Sequence, residues 1–141
     1  MAELNIVEKV IALEAVDLFK KLNPDQLARI ATIAQEVSFP AGEVILNPDN
    51  AAGALYVILD GAIAVTSGEG AATVARANDV LGAWALFDTE PLRVTAKATE
   101  PSHLLRIGRD DFYDLLSDNM EITASIFTIL VRRFRQLVEG A

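Results

Sequence analysis

Residues 55–65 read Leu-Tyr-Val-Ile-Leu, then Asp60-Gly61, then Ala-Ile-Ala-Val. Each flank is a short apolar run bounded by turn formers, too short for a helix and right for a buried strand. Two residues of the Asp-Gly type between such runs form the strongest short-range hairpin signal, because the favoured turn needs positive φ at its centre. A chain with this feature in its middle has to build a sheet there and place any helices around it.

The same grammar continues on both sides. Pro40-Ala41-Gly42 is a turn, Val44–Leu46 a short strand and Asn47-Pro48-Asp49-Asn50 a loop. Ser67-Gly68-Glu69-Gly70 turns the chain into Ala72–Ala75, and further strands are expected at Arg93–Thr99 and Leu104–Ile107. Short strands at this spacing predict an antiparallel β-roll or jelly roll of about eight strands.

Helical periods bracket the strands. Residues 2–22 place Ile6, Val7, Val10, Ile11 and Leu18 at helical spacing. A second helix opens with Asn23 as cap, Pro24 in the first turn and Gln26 completing a capping box. It carries Leu27, Ile30, Ala31 and Ala34 on one face and is expected to end near Glu36. After Gly108 the helical period returns, with Asp110 or Asp111 as cap for Phe112, Leu115 and Leu116. Asn119 caps a last helix that runs toward Glu139. The expected fold is mainly β with flanking helices, in one domain over residues 1–141: helices in 2–36, roll in 37–107, C-terminal helices in 109–139. A length of 141 residues suits one domain.

The last helix carries more apolar surface than one contact needs. Ile122, Ile126, Phe127, Ile129, Leu130, Val131, Phe134, Leu137 and Val138 cover roughly 200° of arc, and one packed face needs about 100°. Either a small core wraps the helix unusually fully, or the helix has two partners: the roll, and a second chain or domain. The second reading predicts a homodimer through this helix.

Charge and composition exclude several functions. Twenty acidic against twelve basic residues give a net charge of −8, which repels a nucleic-acid backbone. The one dense basic cluster, Arg132, Arg133 and Arg135, reads as helix C-terminal charge facing the dipole. Direct nucleic-acid binding is not expected. No apolar run reaches the ~18–20 residues that span a bilayer, and the start MAELNIVEK has no signal-peptide core. A chain without cysteine suits a reducing cytosol, so a soluble, cytoplasmic protein is expected. His103 is the single histidine, which excludes a multi-histidine metal site, and it reads as a surface or structural residue. Asp110-Asp111 reads as capping. No serine sits in a nucleophile elbow, and no glycine-rich stretch matches a phosphate loop. The expectation is a sensor or adaptor without catalysis, metal or permanent cofactor.

The stretches LFKKLNPDQLARIA, FPAGEVIL, ALYVILDGAIAV, NDVLGAWALFDTEPLRVTAKA and LLRIGRDDFYDLL, in that order, resemble the cyclic nucleotide-binding domain family over about residues 16–138. The resemblance implies a ligand site in a phosphate-binding cassette of the pattern G-E-x-A-L, four variable residues, then P-R-x-A-T. In such a cassette backbone N–H groups at a helix start cradle the cyclic phosphate. The arginine pairs with the phosphate, and the glutamate accepts from the ribose hydroxyl. Laid on this chain, Gly82 takes the glycine position, Ala85 and Leu86 the A-L pair, Pro91 the proline and Thr95 the final hydroxyl. Ala83 stands where the glutamate should be and Leu92 where the arginine should be. Arg93 lies one position on, where a regular strand would turn it to the opposite face. Trp84 reads as packing, or as a surface on which a base stacks.

The ligand-binding positions the resemblance implies are therefore Gly82, Ala83, Trp84, Ala85, Leu92, Arg93 and Thr95. With both charged groups missing, the expectation is weak or absent binding of cyclic AMP and cyclic GMP, or a less charged small ligand. The alternatives are a ligand-free interaction or dimerisation module, or the sensory part of a larger transporter or transcription regulator. A regulator of that kind would need a DNA-reading domain beyond Ala141.

Overall fold

The computed structural model describes residues 3–47, 53–67, 70, 72–87 and 94–139, apart from the side chains of Trp84 and Ala85. Two four-stranded antiparallel sheets form the middle of the molecule, and helices pack on the outer face of one of them.

Helix α1 spans Ile6–Leu13 and is capped by Asn5 in a box with Glu8. The helix expected over residues 2–22 therefore stops early, and a 3-10 turn, Asp17–Phe19, follows it. Val16 between them is extended (φ −80°, ψ 114°), which lets Leu13, Val16, Leu18 and Phe19 all bury where one straight helix would not. Helix α2, Pro24–Ala31, starts with the capping box expected of Asn23 and Gln26. It ends five residues before Glu36, because Ala34–Phe39 is the first strand, β1.

The remaining strands are β2 (Val44–Leu46), β3 (Ala54–Asp60), β4 (Ile63–Ser67), β5 (Ala72–Ala75), β6 (Val80–Leu81), β7 (Val94–Ala98) and β8 (Ser102–Gly108). The first sheet has the order β1-β8-β3-β6 and the second β2-β7-β4-β5. Helices α3 (Arg109–Asp118) and α4 (Met120–Glu139) follow. Gly108 is the N-cap residue of α3, without a side-chain bond. Asp110 and Asp111 lie in its first turn, where the helix dipole favours them, and do not cap it. Among the described residues no helix is long and apolar enough to cross a membrane.

The hairpin expected at Asp60-Gly61 does not form. β3 is already paired with β8 on one side and β6 on the other, so no edge is left for β4. A register shift between Ile58 and Asp60 bends the strand, and Gly61 at φ +111° carries the chain into the second sheet. A Cβ on Gly61 would stand 2.6 Å from the Ser102 Cα, so only glycine fits this corner. Buried Ser102 closes it, accepting from the Ala62 amide at 3.2 Å and donating to the Glu100 carbonyl at 2.9 Å. The turn the sequence places at residues 67–70 lies partly outside the described residues; on either side of it β4 pairs antiparallel with β5, and the Gly70 amide donates to the Ser67 carbonyl at 3.0 Å.

The unbroken apolar run of β3 reflects burial on both faces. Leu55 and Val57 join Leu105 and Ile107 of β8 under the helices, with Phe19, Ile30, Phe112 and Ile126. Ala54, Tyr56 and Ile58 point the other way, into the roll, against Ile63, Ala96 and Ala98 of the second sheet.

Candidate functional site

The cassette positions begin where β6 ends. Gly82 has φ +75°, and a Cβ there would stand 2.7 Å from the Ala54 carbonyl oxygen. A side chain is thus excluded on two counts, conformation and space. This tight passage lets the chain turn straight into a 3-10 helix, Ala83–Leu86. Leu86 is fully buried and anchors the turn in the helical core.

Ala83 packs half-buried against that same core. Its methyl lines an apolar groove of about 310 Å³ with Leu18, Phe87, Leu130, Phe134 and Leu137. Arg133 stands at the rim, ion-paired with Asp17. Phe87 is held edge-on to Phe112, with ring centroids 6.1 Å apart. The groove therefore joins the cassette turn to the outer half of α4, and its walls suit apolar groups.

Thr95 lies on β7 opposite Thr66 of β4. Its neighbour Ala96, and Ala98 beyond, are the residues that face the roll interior, so alternation puts Thr95 on the outer face with Lys97. The structure thus brings Gly82 and Ala83 together, with Trp84 and Ala85 in the same turn, and sets Thr95 apart on the sheet. Leu92 and Arg93 lie outside the described residues, as do Pro91, Asp88 and Glu90.

One polar cluster escapes the sequence reading. The His103 Nδ1 stands 2.8 Å from the Ser38 Oγ, and its Nε2 2.8 Å from the Glu36 Oε1. The other carboxylate oxygen of Glu36 accepts from the Leu4 amide at 2.8 Å. The hydrogen bond from His103, and then that from Leu4, hold the Glu36 carboxyl below its ordinary pKa against the opposing effect of burial. Strand β1 makes the cluster, because Ser38 is in register with His103 of β8 and Glu36 lies two residues back on the same face. Assigning residues up to Glu36 to a helix hides that alternation. Among the described residues no group of three or more His, Asp or Glu could hold a metal ion.

Comparison with known proteins agrees with this architecture. The family model of the cyclic nucleotide-binding domain matches residues 36–119. The CRP-like cAMP-activated global transcriptional regulator of Mycobacterium tuberculosis is 23% identical over 124 residues, which cover 84% of this chain and 55% of that protein. The cAMP-dependent protein kinase regulatory subunit of Emericella nidulans is 33% identical over 106 residues, 74% of this chain and 26% of that protein. This chain thus spans about half the length of the first relative and about a quarter of the second. The N-terminal domain of a transcriptional regulator from Streptomyces coelicolor A3(2) superimposes with a TM-score of 0.82 at 24% identity, over 92% of this chain and 94% of that one.

Proposed function

The chain belongs to the cyclic nucleotide-binding domain family, and we propose that it is a non-enzymatic regulatory domain with weakened affinity for cyclic AMP and cyclic GMP. The observation that carries this reading is Ala83. At the position where the family pattern has a ribose-gripping glutamate, this chain has a methyl group in the wall of an apolar groove. Leu92, at the position of the phosphate-pairing arginine, supports it from the sequence.

A hydrogen bond to a charged partner is worth about 1.5–3 kcal/mol, and an anion without its counter-charge costs several kcal/mol more. At about 1.4 kcal/mol per tenfold, two such losses weaken binding by a few orders of magnitude. The ligand that suits the turn from Gly82 to Ala85, with Leu92 and Arg93 at the neighbouring positions of the family pattern, is a less charged small molecule, or a nucleotide held in another way. Ligand in the roll would act on a partner by favouring one arrangement of α3 and α4 over another, which requires different affinity in the two states. Isothermal titration with cyclic AMP and cyclic GMP should show no binding at low-micromolar concentration. Ala83→Glu combined with Leu92→Arg should gain at least about tenfold. Low-micromolar affinity in the unaltered chain would overturn the reading.

A second reading, a dimerisation module, is favoured by α4. Met120, Ala124, Phe127, Val131, Phe134 and Val138 are spaced four, three, four, three, four, and all are exposed. That is a heptad seam with Ala and Val at a and Met and Phe at d, and β-branched residues at a favour a parallel two-stranded coiled coil. Light scattering on the eluted protein should give twice the mass of one chain, and the mass of a single chain at high concentration would refute the dimer.

A further inference from the structure

We propose that Ser38 is an activated nucleophile, a site on the rim of the first sheet that accepts an acyl group from an activated ester. Glu36 accepts with both carboxylate oxygens, one from the Leu4 amide and one from His103. A carboxylate kept ionised has no proton to give, so the Nε2 of His103 must carry the hydrogen. In the neutral ring the Nδ1 is then the acceptor, and the Ser38 hydroxyl donates to it at 2.8 Å. Nucleophile, base and orienting acid stand in one hydrogen-bonded line, the arrangement by which a neutral hydroxyl is made reactive. The imidazole and carboxylate are largely sheltered, with side-chain exposures of 20% and 14%, while Ser38 is exposed.

A cavity of about 310 Å³ opens beside the hydroxyl, with Phe39, Pro40 and Pro101 as apolar walls and Asp60 as an acid. It fits a small neutral acyl group and disfavours an anionic one. In the reaction Ser38 Oγ attacks the carbonyl carbon of an aryl ester, and the carbon–oxygen bond to the aryloxide breaks. The Ser38 proton passes to His103 Nδ1 and from there to the departing aryloxide. The products are one O-acyl serine and one phenol, with His103 and Glu36 returned to their starting states. Ser38 is the reacting group, His103 its base and Glu36 a positioning residue.

The test uses the full chain with p-nitrophenyl acetate and reads acetylation serine by serine, by mass spectrometry of a digest. Ser67 and Ser117, also exposed, are internal controls. A positioned base contributes about 10²–10⁴-fold, so Ser38 should be acetylated about a hundredfold faster than either control. His103→Ala should bring Ser38 down to the control rate, and added free imidazole should restore part of the difference, which no merely structural role of the ring would produce. Equal rates at the three serines of the unaltered chain would overturn the proposal, whatever the stability of the variant. So would an undiminished Ser38 rate in folded His103→Ala.

Discussion

Both halves of α4 carry apolar side chains, and they bury them to very different extents. In the inner half Ile122, Ile126 and Ile129 are buried, at 1%, 2% and 6% exposure, under the sheet and α3. In the outer half every residue from Val131 to Glu139 is exposed, and Phe134 and Leu137 keep 66% and 77% of their surface. At 100° per residue the isoleucine stripe and the Met120–Val138 seam are centred about 150° apart on the helix. The wide apolar arc of the sequence is therefore two stripes, and one small core cannot reach both. The isoleucine stripe belongs to the fold, and the seam, which runs from Met120 in the inner half to Val138 in the outer, offers its surface elsewhere.

The sharpest way to break this contrast is to truncate one side chain from each stripe. Ile126→Ala should lower the unfolding free energy by about 2–5 kcal/mol, as for other fully buried aliphatic side chains. Phe134→Ala should change it by no more than about 0.5 kcal/mol when measured by urea denaturation at high dilution. Equal costs at the two positions would mean that the outer half is packed after all.

The next effect is on association. Phe134→Ala removes a d-position ring from both chains of a parallel pair and should weaken the dimer at least about tenfold, seen in sedimentation equilibrium. Val131→Asp puts two carboxylates at one a level of the seam and should leave a single chain at all concentrations tested. A dimer unaffected by both changes would place the contact on another surface and confine the heptad pattern to chance.

The same contrast shows what local sequence can carry. Periodicity found α4 and its surplus apolar arc because helical contacts repeat along the chain. Local chemistry likewise showed the Asn23 box and the turn that opens at Ser67, where the deciding bonds lie within a few residues. Asp60-Gly61 has the same local chemistry and a different outcome, because the occupied edges of β3 and the close packing of Ser102 decide it. β1 was hidden for a related reason: Ala34, Gln35 and Glu36 have little strand preference, and full pairing with β8 overrides it. With β1 went the Glu36–His103–Ser38 line, since 65 residues separate Ser38 from His103. At the cassette, Gly82 was legible from the family pattern. That Ala83 shares a groove with the outer half of α4 was not legible, because the two lie about fifty residues apart and meet only through the fold.

The smallest effect sharpens the comparison from the other side. Among the described residues the outer half of α4 has one ion pair to the body of the domain, Arg133 to Asp17. Both side chains are well exposed, 46% and 61%, so water and salt screen the pair. Exposed pairs of this kind contribute about 0–1 kcal/mol. Arg133→Ala should therefore lower stability by less than about 1 kcal/mol in low salt, with the difference from the unaltered chain fading as salt is added. A loss comparable with that of Ile126→Ala would mean that this pair anchors the end of the helix, and that the groove between Ala83 and Leu137 is part of the fold. A small, salt-dependent loss leaves α4 tied by its inner isoleucines and Leu130, with its outer turns free to respond to what the cassette or a second chain presents to them.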